Sequence, residues 1–247
     1  MKNNFYFKEP FSNIYKLPNI HSEVTSQILY GERFKILSKR KGWIKIKSLY
    51  DRYSGFIKNK QYVNELKISH KVNNIQANIF NKPNVKTKKT LYFGSKLSSI
   101  EKRNGFVRFE KKRWIRLKDI KKITHKEKDF VKIFKLFLKT KYVWGGKTNK
   151  GIDCSALLQI FFYYNNLFYP RDTKDQIKYS IKKISNKFKK GDIIFWKGHV
   201  AICINSKQLI HAYGPEKRVL IMPIKKTIAR ILNTAYLKVR KISKIKF

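Results

Sequence analysis

Acidic residues are scarce in this chain of 247 residues: 15 Asp and Glu stand against 58 Lys and Arg, a formal net charge of +43. So large an excess raises nucleic acid or another polyanion as a partner. The lysines are spread along the whole length rather than gathered into a tail or stripe, so the excess reads as compositional bias. No specific nucleic-acid binding is expected. Cysteine is scarcer still. Cys154 and Cys203 are the only two, which excludes a disulfide framework. Neither belongs to a CxxC pair, so a structural zinc site has no support, and no metal or other cofactor is expected. Long apolar runs are also missing. The first ten residues lack the apolar stretch of a secretory signal. The region from Leu157 to Tyr169 is interrupted by Gln159, Asn165 and Asn166 and is too short for a membrane span. These absences read as a soluble, cytoplasmic protein, with oligomeric state left open. Hydrophobic residues make up 42% and aromatic residues 15%, enough to build a packed core.

Up to about residue 124 no segment has helical periodicity. Short β-branched and aromatic runs alternate with Gly, Asn and Pro, the pattern of small all-β units. The segment repeats itself. Leu29-Tyr-Gly-Glu-Arg-Phe-Lys-Ile-Leu37 leads to Gly42-Trp-Ile-Lys-Ile46, and Tyr92-Phe-Gly-Ser-Lys-Leu-Ser-Ser-Ile100 leads to Gly105-Phe-Val-Arg-Phe109. A third strand follows in each copy, Ser54-Gly-Phe-Ile-Lys58 and Arg113-Trp-Ile-Arg-Leu117.

The second half changes character. In Lys128–Lys139, Phe130, Ile133, Phe134 and Phe137 fall at i, i+3, i+4 and i+7, which predicts a core-facing helix. A glycine-rich turn (Gly145, Gly146, Gly151) then leads through Asp153 to Cys154 and an apolar run from Ala156 to Phe162. Loop followed by helix places Cys154 at a helix N-terminus, where the macrodipole stabilises a thiolate. The competing reading makes Cys154 a small core residue. In Pro170-Arg-Asp-Thr-Lys-Asp-Gln-Ile177, Thr173 and Gln176 have capping-box spacing, and Asp172 either caps the same helix or faces a site. Gly191–Ile204 reads as two strands joined at Lys197-Gly198, with His199 opening the second and Cys203 in its core face. His211 lies within a third strand, Gln208–Ala212. Two histidines twelve apart on consecutive strands fall side by side across a ladder. With a loop cysteine upstream they supply the nucleophile, base and orienting group of a papain-like site.

Taken together, Tyr142-x-Trp-Gly-Gly, Asp153-Cys154-Ser155, Pro170-Arg-Asp-Thr, Gly191-Asp-x-x-Phe, His199-Val-Ala-Ile and His211-Ala resemble the NlpC-type cell-wall cysteine peptidases. The first half resembles bacterial SH3-type barrels. Ala77-Asn-Ile-Phe-Asn-Lys-Pro83 looks like the usual opening of such a barrel, and Leu17-Pro-Asn-Ile-His-Ser-Glu23 like a degenerate one. The resemblance implies an α+β protein, a papain-like NlpC-type catalytic domain over 125–247 preceded by two small all-β SH3-type barrels over 1–70 and 71–124. The whole chain looks like the γ-D-glutamyl-L-diamino acid endopeptidases, which implies a murein peptide substrate such as L-Ala-γ-D-Glu-diaminopimelate and a role in cell-wall peptide recycling. It implies that Cys154 is the nucleophile, His199 the general base and His211 the residue that orients it. Tyr142 and Ser155 take oxyanion or substrate-binding positions. Asp172 and Thr173 bind substrate, Asp172 through the free amine of its L-alanine, joined from the first barrel by Glu32 and, more weakly, Tyr53. Ala156 and Ala201 stand where glycine is common, and Tyr213 is expected to narrow the cleft. The alternative to a peptidase is a cationic binder of peptidoglycan fragments or other polyanions, catalytically weak or inert.

Overall fold

The computed structural model describes residues 4–183 and 187–245. The chain divides into two compact units: 1–127 with 163–166, and 128–162 with 167–247.

The first unit is all strand apart from one 3-10 turn, Leu117–Asp119, and the short stretch of chain from 163 to 166. Its first copy is one antiparallel sheet ordered Val24–Leu29, Phe11–Tyr15, Ser54–Lys58, Trp43–Ser48, Arg33–Arg40, Asn4–Phe7 and Tyr62–Val63. Alternating apolar residues bury Phe7, Ile14, Ile28, Phe34, Ile44, Ile46 and Ile57 in a single core. In the second copy the same path breaks into two sheets. Lys96–Leu97 pairs with His70–Val72, while Glu101–Arg103 pairs with Phe106–Glu110, so the equivalent of the unbroken strand Arg33–Arg40 is interrupted. Ile79, Leu91, Val107 and Ile115 from one sheet and Val72, Leu97 and Ile120 from the other share a core. The expected SH3-like all-β region is present. Its sheets are open among the described residues: the edge strands Val24–Leu29 and Tyr62–Val63 do not pair, so the barrels are not closed.

The structure corrects one assignment within the repeat. Leu17–Glu23 is not an opening strand but an exposed loop, with Leu17 58% and Ile20 51% accessible. The counterpart of Gln76–Lys82 is Phe11–Tyr15, and Asn13-Ile14-Tyr15 matches Asn78-Ile79-Phe80 residue for residue. Ile14 and Ile79 are each 2% exposed, one in each core. The four repeat glycines, Gly31, Gly42, Gly94 and Gly105, all have positive φ. Gly31 N–H donates to Phe7 O at 2.8 Å and Gly94 N–H to Val72 O at 2.9 Å, so the repeat extends to hydrogen bonds that no motif reports. At Gly31 an added Cβ would lie 1.8 Å from the backbone oxygen of Lys96, whereas at Gly105 it would meet nothing within 4 Å. Gly105→Ala therefore carries only the left-handed strain, about 1–2 kcal/mol. Gly31→Ala must also displace backbone, and we expect it to cost at least about twice as much in urea unfolding. Equal losses would count against the clash.

Residues 163–166 are held inside this unit. Lys71, wholly buried, donates its Nζ to the carbonyls of Tyr164 and His125 and lies 4.1 Å above the Tyr164 ring. Burial, then Lys126 and Lys96, pull its pKa down to about 7. The cation sits at the carbonyl end of a helix, where the dipole favours it.

In the second unit a six-stranded antiparallel sheet runs Ile181–Lys182, Lys241–Lys244, Asp192–Trp196, His199–Cys203, Gln208–Tyr213 and Arg218–Pro223. Four helices accompany it: α1 (Phe130–Leu136), α2 (Cys154–Tyr164), α3 (Thr173–Tyr179) and α4 (Ile224–Ala235). α1 buries the expected Phe130, Ile133 and Phe134, with Phe137 as its C-cap, and its rings meet Phe161 of α2. In the chain order read from sequence, α4 and the strands Arg218–Pro223 and Lys241–Lys244 went unrecognised. Ile224, Thr227 and Ile231 of α4 carry the signal, an i, i+3, i+7 stripe that is buried against the sheet. Cys203, fully buried, belongs to the same core. Among the described residues no helix is long and apolar enough to cross a membrane.

Candidate active site

The site begins where the glycine-rich turn becomes α2. Asp153 immediately precedes the helix and gathers five donors. Gly145 N–H reaches Oδ2 at 3.0 Å, and Ala156 N–H and the Ser155 hydroxyl reach Oδ1 at 2.7 and 3.0 Å. Arg171 adds a two-pronged ion pair, Nη1 to Oδ1 at 3.0 Å and Nη2 to Oδ2 at 2.6 Å, and Nη1 also donates to Ser155 Oγ at 2.9 Å. Arg171 is 3% and Asp153 5% exposed. A fork-to-fork pair with further hydrogen bonds is the geometry in which a buried charge is tolerated. Ser155 thus lies inside this network.

Cys154, the first residue of α2, is 5% exposed. Its thiol points at Gly198 O, 4.0 Å away, in the turn that precedes His199. Burial first, and then the Asp153 carboxylate, push the thiol up to about 12; Val200's backbone, Thr173's hydroxyl and Arg171 pull the other way. The two chain neighbours of His199 therefore flank the sulfur. The direction runs against the expectation of a thiolate held by the helix dipole. The helix start is already occupied by the Asp153 carboxylate, which takes the Ala156 amide and repels a second negative charge.

The histidines meet as the strand pattern suggests, but on a diagonal. Register pairs Ile202 with Ile210 and Cys203 with Leu209, which brings His199 opposite Tyr213 rather than His211. His199 Nε2 and His211 Nδ1 are nonetheless 2.9 Å apart. Trp196 lies 5.5 Å from the His199 ring. Tyr213 stacks flat on His211 at 4.7 Å and 10°, so its ring walls the histidines instead of simply narrowing a cleft. Behind them, His211 Nε2 is 3.4 Å from Met222 Sδ. Burial pulls His199 down to about 4, and burial with His199 and Arg230 nearby pulls His211 well below its ordinary value. Both shifts favour the uncharged forms, a thiol and a neutral imidazole.

Tyr142 is half-buried, and burial, then Cys154 and Asp153, raise its phenol. Asp172 is the N-cap of α3 yet its side chain makes no capping bond. Its carboxylate has no hydrogen bond or ion pair among the described residues, and burial raises its pKa. Gln176 does not close a capping box: its amide donates to the carbonyls of Ser155 and Pro170, both at 2.9 Å, fastening α3 to α2. Cys154, Ser155, Tyr142, Asp172, Thr173, His199 and His211 all belong to this unit, whereas Glu32 and Tyr53 belong to the other. There Glu32 is buried, and after burial itself it is the largest influence raising the Tyr163 phenol, ahead of Tyr50 and Asp51. Tyr53 is half-buried, its hydroxyl 3.5 Å from Thr25 O. Sequence reasoning missed Arg171 and Met222. The first was visible as the charged member of its motif; the second had no signal in the chain. Among the described residues no cluster of His, Cys, Asp and Glu is suited to a metal ion.

A cysteine at a helix start, set against the first residues of an antiparallel strand that carries one of two hydrogen-bonded histidines, defines a papain-like cysteine peptidase. Residues 139–240 match the model of the NlpC/P60 family, and residues 14–61 match that of the bacterial dipeptidyl-peptidase SH3 domain. The chain thus carries an NlpC/P60 peptidase domain, with a bacterial SH3 domain in front of it. Over 230 residues it is 26% identical to dipeptidyl-peptidase 6 of Lysinibacillus sphaericus, covering 81% of this chain and 84% of that protein. It is 25% identical over 230 residues to gamma-D-glutamyl-L-lysine dipeptidyl-peptidase of Bacillus subtilis strain 168, covering 83% and 77%. The fold is shared with an NlpC/P60 family protein from Bacillus cereus ATCC 10987, at a TM-score of 0.80 and 18% identity over 98% of this chain and 99% of that one.

Proposed function

We propose that this peptidase hydrolyses the γ-D-glutamyl–diamino acid bond of murein-derived peptides with a free N-terminal L-alanine. The observation that carries the proposal is Asp172: a half-buried carboxylate without a partner, adjacent in the chain to Thr173, whose hydroxyl acts on the Cys154 sulfur. A carboxylate left unpaired at that depth is suited to an ammonium ion, which would restore its missing partner. A substrate amine is such an ion. The relative named gamma-D-glutamyl-L-lysine dipeptidyl-peptidase supports the choice of bond.

In this reading His199 takes the proton of the Cys154 thiol as sulfur adds to the γ-carbonyl carbon. The oxyanion is held by the Cys154 backbone N–H with Tyr142 alongside. His199 returns the proton to the leaving α-amine of the diamino acid, giving a thioester. Water, deprotonated by His199, cleaves the thioester and releases L-Ala-γ-D-Glu, with the thiol restored. A requirement for a free amine confines the enzyme to released peptides, as in cell-wall recycling.

Mass spectrometry of L-Ala-γ-D-Glu-L-Lys and L-Ala-γ-D-Glu-diaminopimelate tests this. Wild type should release the diamino acid from at least one of them and Cys154→Ala from neither. Acetylating the alanine amine, or Asp172→Asn, should lower kcat/KM by about 10–100-fold, the value of a charged hydrogen bond. Acetylated peptide cleaved as fast as free peptide would remove the basis for an amine subsite.

A further inference from the structure

Behind the histidine pair lies a side chain that sequence motifs do not flag. Met222 is on the strand Arg218–Pro223, next to the strand of His211. Register pairs His211 with Leu220 and Leu209 with Met222, so His211 and Met222 are diagonal neighbours on one face of the sheet. Met222 Sδ lies 3.4 Å from His211 Nε2. A thioether has lone pairs and no hydrogen; it accepts a hydrogen bond and cannot donate one. The contact is therefore favourable only when His211 Nε2 carries a proton. A bare Nε2 would set two lone pairs against each other beside a half-buried thioether.

That requirement propagates. His211 is buried and His199 half-buried, and desolvation disfavours the charged form of each, so each carries one proton. With the His211 proton on Nε2, its Nδ1 is bare and must accept across the 2.9 Å contact to His199 Nε2. His199 then holds its proton on Nε2, which leaves Nδ1 bare. The opposite assignment fails at both ends: His211 Nδ1–H would donate to His199 Nε2, His199 would carry its own proton on Nδ1, and neither ring would offer a base toward the cysteine. Among the described residues no other hydrogen-bond partner reaches the far nitrogen. His211 is 0% exposed, which keeps water away, and Tyr213 stacked on it at 10° restrains its plane. Which imidazole nitrogen bears the proton is commonly set by the partner of the other nitrogen.

We propose that Met222 is a positioning residue for catalysis: its thioether accepts the His211 Nε2–H, and through that bond fixes both histidines in the tautomer that leaves His199 Nδ1 free as the base. The inference rests on the assignment of Cys154 and His199 as nucleophile and base. It asks of the methionine only that it accept and never donate.

The test exploits composition. Met1 and Met222 are the only methionines, so growth with norleucine in place of methionine exchanges the Met222 sulfur for a methylene of nearly the same shape. Met222→Leu is the genetic counterpart. Long-range 1H–15N spectra of the histidine rings of the full chain at neutral pH read the tautomer directly. Wild type should show His199 and His211 as Nε2–H. In the norleucine and leucine forms both rings should move toward a mixture of tautomers. The kcat for peptide should fall about tenfold, as for other partners that orient a catalytic ring, with KM within about twofold and the unfolding temperature kept in the norleucine form. Met222→Lys, which presents a donor, should drive His211 to Nδ1–H. Histidine signals that keep their wild-type positions in the norleucine and leucine forms overturn the proposal, as does a tautomer change that leaves kcat untouched. A wild-type protein that cleaves neither tripeptide sinks the functional reading instead, and the spectra still decide this one.

Discussion

Arg171→Met is expected to destabilise the catalytic unit by about 3–5 kcal/mol, the cost of leaving a buried carboxylate without its cation. The size follows from burial: Asp153 and Arg171 are 5% and 3% exposed, so water cannot replace the guanidinium. The two amides and the hydroxyl that remain on Asp153 are neutral donors. Arg171→Lys keeps the charge and loses the fork that holds both carboxylate oxygens and Ser155, so it should fall between wild type and Arg171→Met. Adding Asp153→Asn to Arg171→Met removes the stranded charge and should recover a substantial part of the loss. Urea unfolding of these proteins together with Asp153→Asn alone completes the double-mutant cycle. If Arg171→Met costs less than about 1 kcal/mol, the ion pair is not what secures the start of α2.

Cys154 should alkylate slowly at neutral pH and accelerate about tenfold for each pH unit between 7 and 11, because only the thiolate reacts and burial beside Asp153 pushes its pKa up to about 12. Iodoacetamide labelling followed by intact mass, with Cys154→Ala to account for Cys203, gives the profile. A rate plateau from pH 5 to 7 would mean a thiolate–imidazolium pair at rest and would contradict the neutral pair. With His199 as the proposed base, the same pair sets the acid limb of activity. His199 accepts a proton only when neutral, so kcat/KM should hold as pH falls until about 4, where the ring becomes protonated, and then drop. Stability runs in the same direction. Both histidines have folded pKa values below the unfolded value of 6.5, so the stabilisation from burying them neutral is complete above 6.5 and is lost as pH falls toward the folded values.

Much of this was legible in the chain. Local periodicity disclosed α1, because burying one stripe of apolar residues needs no partner to be recognised, and a glycine-rich turn followed by an apolar run disclosed the helix that starts at Cys154. The glycine spacing disclosed the internal repeat, since only glycine holds positive φ without strain. Ordered motifs disclosed the peptidase family. Where the repeat began was misplaced, because Leu17–Glu23 imitates a strand opening in composition while the pairing that makes a strand lies at Phe11–Tyr15.

By itself, then, the sequence determined which side chains are the candidates for the chemistry, a cysteine at a helix start and two histidines on neighbouring strands, because residue type and spacing are properties of the chain. Tertiary structure alone decided their state. The pKa of Cys154 turns on Asp153 and on burial, and the capping role first read for Gln176 yielded to carbonyls on another segment. The tautomer of His199 turns on His211 and a thioether one strand further on, eleven residues from His211 in the chain. Protonation answers to whatever lies within a few ångströms, and that neighbourhood exists only after the strands have paired.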